Sequence, residues 1–257
     1  VRLTLDGDWT ATVTDEPLRS TPRFDFPGQC VRIAEYADVE GWQRFLGETF
    51  GSQEWLWDAP DELRFDRAGR ELVGAGFRLP YECAAAEDSA RVPVTPAIRP
   101  GGLRADEARD FRLDVATELC RATGDTELTC LRDVDVLDEP LEARIGIASD
   151  VALLVQHGTV VGWSLTDPVR YLTTGFAAPY PASPSPAVRS LFSECLDLVT
   201  QPAARRGAGP GPGRPGPPAG GRPDPARPAR GPAPRRRPAL AHRQPGGGLS
   251  ESVTQEP

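Results

Sequence analysis

Apolar residues recur at sheet and helix intervals over the first 200 positions, and the densest run is residues 151–165, VALLVQHGTVVGWSL. The run predicts a β-hairpin whose strands are apolar on both faces, as expected in the middle of a covered sheet. A two-residue loop at His157 and Gly158 needs φ > 0 at both positions. Gly adopts that conformation freely, and His more readily than most residues. The loop sets Val155 opposite Val160 and Leu154 opposite Val161. Pro168, after Asp167, ends the second strand because Pro cannot donate to a ladder.

Period-two patterns predict three more hairpins. In residues 1–14, Leu3 and Leu5 alternate, then Trp9, Ala11 and Val13. A three-residue loop at Asp6, Gly7 and Asp8 pairs Leu5 with Trp9 and Leu3 with Ala11. In residues 63–79, Ala68 and Gly69 form the turn, Leu63, Phe65, Val73, Phe77 and Leu79 share a face, and Gly74 and Gly76 signal a bulge. In residues 113–136, a loop at Gly124 and Asp125 pairs Leu119 with Cys130, Val115 with Val134 and Leu113 with Val136. Cys120 then points away from Cys130, which disfavours a disulfide between them. Shorter strands are predicted around Phe24 and Phe26, Val31 and Ile33, 144–148 and 171–176. Trp55 and Trp57, two apart, are expected to share a strand face and enter the core.

Period-3.6 patterns predict two amphipathic helices. Asp38 caps the first, residues 39–50, with Val39, Trp42, Phe45, Leu46 and Phe50 on its core face and Gly51 closing it. Ser185 caps the second, residues 186–200, with Pro186 at its first position. Its core stripe is Val188, Leu191, Phe192, Cys195 and Val199. The fold class expected is therefore α+β: a predominantly antiparallel sheet built from hairpins with two helices packed on it. Residues 82–110, rich in Ala, Pro and acids, read as a long loop with a helical turn at 105–109. That loop is also the place for a boundary within the globular region 1–200.

The 63–79 and 151–165 hairpins share a pattern, an apolar strand, a Gly turn, then Leu72, Val73 and Gly74 in one and Val160, Val161 and Gly162 in the other. Duplication of a half-domain accounts for this, and so does common hairpin grammar; two copies are too few for a solenoid.

Composition changes the picture after residue 200. Residues 201–257 hold 14 of the 28 prolines, 11 of the 26 glycines and 10 Arg against 3 acids. They lack apolar periodicity and are expected to be a disordered basic tail. Out-of-frame translation of GC-rich DNA yields the same composition. The tail thus reads as unselected sequence, as an electrostatic contact to nucleic acid without stacking aromatics, or as a screen for the acidic body. The first 200 residues carry 34 acids against 19 Arg, and every basic residue of the chain is Arg. Uniform Arg usage follows codon pressure in a GC-rich bacterial genome, which weakens it as a sign of phosphate recognition.

Candidate chemistry is sparse. The start of the chain lacks the apolar region of an export signal, and the five cysteines are expected to be reduced and mostly buried, in a cytoplasmic protein. No phosphate loop, dinucleotide fingerprint, nucleophile elbow or zinc-protease motif occurs. Asp133, Asp135, Asp138 and Glu139 crowd together but read as a solvated strand edge. The sharpest enzyme pattern is a Cys–His pair, with His157 and Cys30 or Cys83 as its members. The bland reading makes His157 a turn residue chosen for its backbone. No residue is assigned a catalytic, cofactor-binding or metal-binding role, and no cofactor is expected. The expected function is a non-catalytic binding or regulatory module with a basic protein partner. The alternatives are a small hydrolase or transferase with a site near residues 82–110, and nucleic-acid contact through the tail.

Overall fold

The computed structural model describes residues 1–52, 61–180 and 182–202, all within the unit Val1–Gly207. Trp55 and Trp57, and the tail from residue 203, lie outside the described residues. In chain order the elements are β1 (Arg2–Asp6), β2 (Trp9–Thr14), β3 (Arg23–Asp25), β4 (Cys30–Ile33), α1 (Val39–Glu48), β5 (Thr49–Gly51), β6 (Glu62–Asp66) and β7 (Leu72–Arg78). There follow β8 (Glu82–Cys83), α2 (Ala86–Ser89), β9 (Arg99–Pro100), β10 (Gly102–Ala105), β11 (Glu118–Arg121), β12 (Glu127–Leu131), β13 (Ala143–Ala148), β14 (Val151–Gln156) and β15 (Thr159–Thr166). The last are β16 (Leu172–Thr173), α3 (Pro186–Val199) and β17 (Gln201–Pro202). Short 3-10 turns occupy Thr123–Asp125, Val134–Asp138 and Pro168–Tyr171.

The fold is mixed α/β, with an eleven-stranded and a six-stranded sheet. Two features of the expected layout are corrected. Both sheets are mixed, because β1 on β15, β8 on β11, β9 on β13, β16 on β3 and β17 on β8 all run parallel. Three helices are described rather than two. The segment 82–110 is also more than a loop: β10 pairs with β2, with Leu103 opposite Val13. Residues 105–109 form no helical turn, since Ala105 ends that strand.

The hairpins form where the local pattern places them, but bulges shift their faces. In the β14–β15 hairpin His157 and Gly158 adopt φ of 52° and 68°, and Val155 faces Val160. Leu154 then faces Gly162 rather than Val161, so Val161 is the extra residue of a bulge. In the β6–β7 hairpin Phe65 faces Leu72 and Arg64 faces Gly74, so Val73 is the extra residue there. Leu72 therefore takes the core position expected for Val73. The first hairpin keeps Leu3 opposite Ala11 but pairs Asp6, not Leu5, with Trp9. In the third, Leu119 faces Cys130 as expected. Cys120 and Cys130 enter different core clusters, and both thiols are free. That hairpin is shorter than expected, because Val134 and Val136 lie in a 3-10 turn and Leu113 bridges Asp61 instead.

These bulges reveal a repeat. The six-stranded sheet runs β16-β3-β4-β7-β6-β5, and within the larger sheet β8-β11-β12-β15-β14-β13 are successive neighbours. Sense agrees at every step: parallel at the first pair, antiparallel at the other four. The bulge falls one residue before Gly74 in one half and one before Gly162 in the other. The outer parallel strand of each half is exchanged, since β8 follows β7 but joins β11, and β16 follows β15 but joins β3. Phe77 of β7 stacks on Trp163 of β15 with ring centroids 5.1 Å apart. One buried cluster takes residues from both halves, among them Phe24, Phe65, Phe77, Leu119, Leu153 and Trp163. A second cluster, with Cys120, Leu131, Val136, Leu137 and Leu154, covers the opposite face of the larger sheet.

The helices depart from their sequence patterns. Helix α1 is capped by Asp38, whose carboxylate accepts from the Gly41 N–H at 2.6 Å, but no α1 residue is buried. Phe50 belongs to β5, where it stacks on Phe65. In α3, the buried residues are Phe192 and Leu196. The face is rotated because Arg189 pairs with Asp167 and Ser193 donates to buried Asp125. Val188 and Leu191, expected inside, are exposed, and Cys195 is only half-buried. Between 171 and 176 only Leu172–Thr173 is strand, because Tyr171 ends a 3-10 turn.

Candidate binding cleft

A cleft of about 530 Å³ lies between residues 16–20 and α1. Its floor is apolar, made by Leu18, Phe45, Leu72 and Val73. Val73 reaches the floor because the β7 bulge turns it out of the core, so the strand defect shapes the cleft. One wall is tied to the larger sheet by the Leu18 N–H, which donates to the Ile147 carbonyl at 2.7 Å. The other wall is α1, presenting Gly41, Arg44, Phe45 and Glu48.

Helix α1 is held by its ends. The buried Arg64 guanidinium donates to the carbonyls of Leu46 at 3.2 Å and Ser52 at 3.1 Å, and to Thr49 Oγ1 at 3.0 Å. Thr49 Oγ1 donates in turn to the Phe45 carbonyl at 2.7 Å. A cation here satisfies carbonyls that the helix end leaves without partners. Burial lowers the pKa of Arg64, and the charges of Glu62 and Asp110 offset part of that shift. The Phe45 ring lies over Gly74, where a Cβ would fall 2.6 Å from Cζ. Glycine at this position lets the ring settle on the strand.

The cleft is lined by charges of both signs. Glu16, Glu35 and Glu48, with Arg19 and Arg44, line it and are exposed. None of the five side chains makes a hydrogen bond or ion pair to a described residue. Several Arg side chains elsewhere are paired: Arg91 with Asp88 and Asp138, Arg109 with Asp8 and Glu107, Arg121 with Asp125 and Asp197. Asp66 also lines the cleft but is committed to the β6–β7 turn, accepting N–H groups from Ala68, Gly69 and Glu71. Burial would raise the Asp66 pKa, and those N–H bonds outweigh it to leave the group lowered.

The second half of the repeat packs its equivalent connection into a core cluster. There the connection between β12 and β13, equivalent to α1, is the 3-10 turn Val134–Asp138, with Val136 and Leu137 buried. Gln156 fastens it, donating to the carbonyls of Val136 at 3.1 Å and Glu139 at 3.0 Å. One scaffold thus occurs twice, with the connecting element buried in one half and without a buried residue in the other.

The residues of the Cys–His pattern do not meet. His157 sits on the β14–β15 turn, and its Nε2 lies 2.6 Å from Glu139 Oε2, with both side chains exposed. Cys83 is on β8, separated from β15 by β11 and β12. Cys30 is buried within the six-stranded sheet. Burial pushes both thiols up, and Arg121 beside Cys83 and Arg32 beside Cys30 offset this only in part. A thiol in this state is a poor nucleophile. Cys83 does line a second cleft of about 470 Å³ with Ser89, Arg121 and Thr123, which falls partly in the 82–110 region. Arg121 is engaged there by the Asp125 carboxylate at 2.6 and 2.8 Å and by Asp197. The crowded acids are placed on a 3-10 turn rather than a strand edge: Asp133 caps it, Asp138 meets Arg91 and Glu139 meets His157. Among the described residues, no group of three His, Cys, Asp or Glu side chains could hold a metal ion. No described helix is long and apolar enough to cross a membrane.

One titratable group escaped the sequence reading. Asp61 is buried where the two sheets meet and accepts the Arg78 N–H at 2.8 Å. Burial pushes its carboxyl up to about 7, and the N–H groups of Arg78 and Ala116 and the charge of Arg132 offset only part of that. Nothing in the local pattern distinguishes it from the other acids, because its burial comes from strands distant in sequence.

No protein-family model matches the chain, and comparisons with curated proteins and with solved structures find no match.

Proposed function

We propose that this chain is a non-catalytic binding module whose cleft beside α1 receives a basic, partly apolar segment of a protein partner. The observation that carries this reading is the ring of charges without a partner among the described residues, set over an apolar floor beside a helix that buries no residue. Glu16, Glu35 and Glu48 favour a guanidinium or ammonium, Arg19 and Arg44 leave room for one acceptor, and Phe45 and Val73 take an apolar side chain. The cleft volume is that of a site for a few side chains. An acidic surface also speeds the approach of a basic partner.

The test is calorimetric titration with a blocked Arg-Leu-Arg-Phe peptide, with a blocked Glu-Leu-Glu-Phe peptide as control. Expected are binding of the basic peptide that weakens with salt, and at least a tenfold loss in a Glu35→Gln, Glu48→Gln variant. Equal binding of the acidic peptide, or an unchanged affinity in that variant, would sink the proposal. So would the absence of heat.

A further inference from the structure

We infer that the junction of the two sheets binds a single water molecule, held by Asp61 from the first half of the repeat and by Trp163 and Arg132 from the second. A cavity of about 10 Å³ lies there. That is about the space one water needs, and a cavity of this size holds water only where its walls are polar. Phe77, Leu153 and Val160 make apolar wall, while Asp61, Arg132 and Trp163 bring polar groups to it. Two buried donors on those residues, Trp163 Nε1 and Arg132 Nη2, have no hydrogen-bond partner among the described residues. Trp163 is 1 % and Asp61 3 % exposed, so bulk solvent does not serve them.

The three groups are fixed by the strands that carry them. The Trp163 ring is stacked on Phe77 with planes 24° apart. The Arg132 N–H donates to the Val161 carbonyl at 2.9 Å, and the Arg132 carbonyl accepts from Thr117 Oγ1 at 2.7 Å. The Asp61 carboxyl accepts the N–H groups of Arg78 and Ala116 and retains acceptor capacity for one more hydrogen. The count of donors and acceptors selects the ligand. Water accepts both orphaned N–H groups and donates to Asp61, which makes the three hydrogen bonds usual for a buried water. An anion would lie against the Asp61 carboxyl, a cation against the Arg132 guanidinium, and the volume admits nothing larger. One water thus removes the penalty of two unsatisfied buried donors and links the halves of the repeat by a polar bridge.

Water–protein NOE and ROE spectra of the isotope-labelled full chain test this, with the Trp163 indole N–H assigned through its contacts to the Phe77 ring. Expected is a cross-peak between that N–H and water with opposite signs in the two spectra, the mark of a water held inside the protein rather than passing over its surface. Arg132→Met keeps the side-chain stem and removes one donor, and the cross-peak is expected to fall at least threefold. A crystal structure is expected to show one water about 3 Å from Trp163 Nε1, Arg132 Nη2 and an Asp61 carboxyl oxygen. No cross-peak, a cross-peak with the signs of surface water, or an ion or an empty space in the crystal overturns the proposal. A cross-peak unchanged in Arg132→Met overturns it as well, and the wild-type spectra decide the matter if that variant does not fold.

Discussion

Replacing Asp61 by Asn tests whether the junction of the two sheets carries a carboxyl that folding forces to hold its proton. The ordinary pKa of the group is 3.8, and burial raises it to about 7 in the folded chain. Below pH 3.8 the carboxyl is protonated in both states and has no effect on their balance. Between 3.8 and about 7 the unfolded chain loses the proton while the folded chain keeps it, so stability falls as pH rises. The gap corresponds to about 4 kcal/mol, lost in full once the folded-state carboxyl is also ionised. Asn retains an oxygen for the Arg78 N–H, 2.8 Å away in the wild type, but does not titrate. Arg132 loses a charged neighbour and keeps Asp114 at 3.9 Å. The assay is urea unfolding followed by the fluorescence of buried Trp9 and Trp163, for both chains, from pH 4 to 8. Subtracting the two curves cancels every other carboxylate. The difference is expected to move by about 4 kcal/mol in favour of the variant across that range. A flat difference, or one that favours the wild type increasingly as pH rises, would refute the reasoning.

Two further substitutions probe the scaffold. In Gly162→Ala the new Cβ falls 2.3 Å from the Cys130 carbonyl oxygen, which is backbone and cannot step aside. A loss of about 2–3 kcal/mol in chemical unfolding is expected. Gly158→Ala, with φ of 68° and open space around it, is expected to cost only about 1 kcal/mol, and equal losses would discredit the steric account. Asp125→Ala leaves the half-buried Arg121 without its two-bond partner and frees Ser193 of α3, so about 3 kcal/mol should be lost in thermal unfolding. Asp197→Ala removes an exposed partner of the same Arg and is expected to cost under about 1 kcal/mol.

How far the site could be read in advance follows from the same residues. His157 was legible as a turn residue, because the loop needs φ > 0 and Gly158 follows it. The wall of the cleft was half legible: Asp38 and the period of residues 39–50 announced a helix, yet its apolar face stays half-exposed. Alternation places Val73 in the core, whereas the fold sets it in the cleft, since one bulge residue reverses which face a side chain takes. The stripe of α3 was displaced by about one position because Arg189 and Ser193 found acids on other elements.

Sequence by itself determined what depends on near neighbours. Turn chemistry set the β14–β15 hairpin and the Val155–Val160 pair, alternation set Leu119 opposite Cys130, and the side chains of Asp38 and Ser185 set where two helices begin. Tertiary structure alone decided which strands lie side by side, the exchange of β8 and β16 between halves, the burial of Asp61 and the different burial of the two connecting elements. Those outcomes come from contacts between residues tens of positions apart, where backbone hydrogen bonding is the same for any strand and only the packing of the whole core distinguishes one neighbour from another.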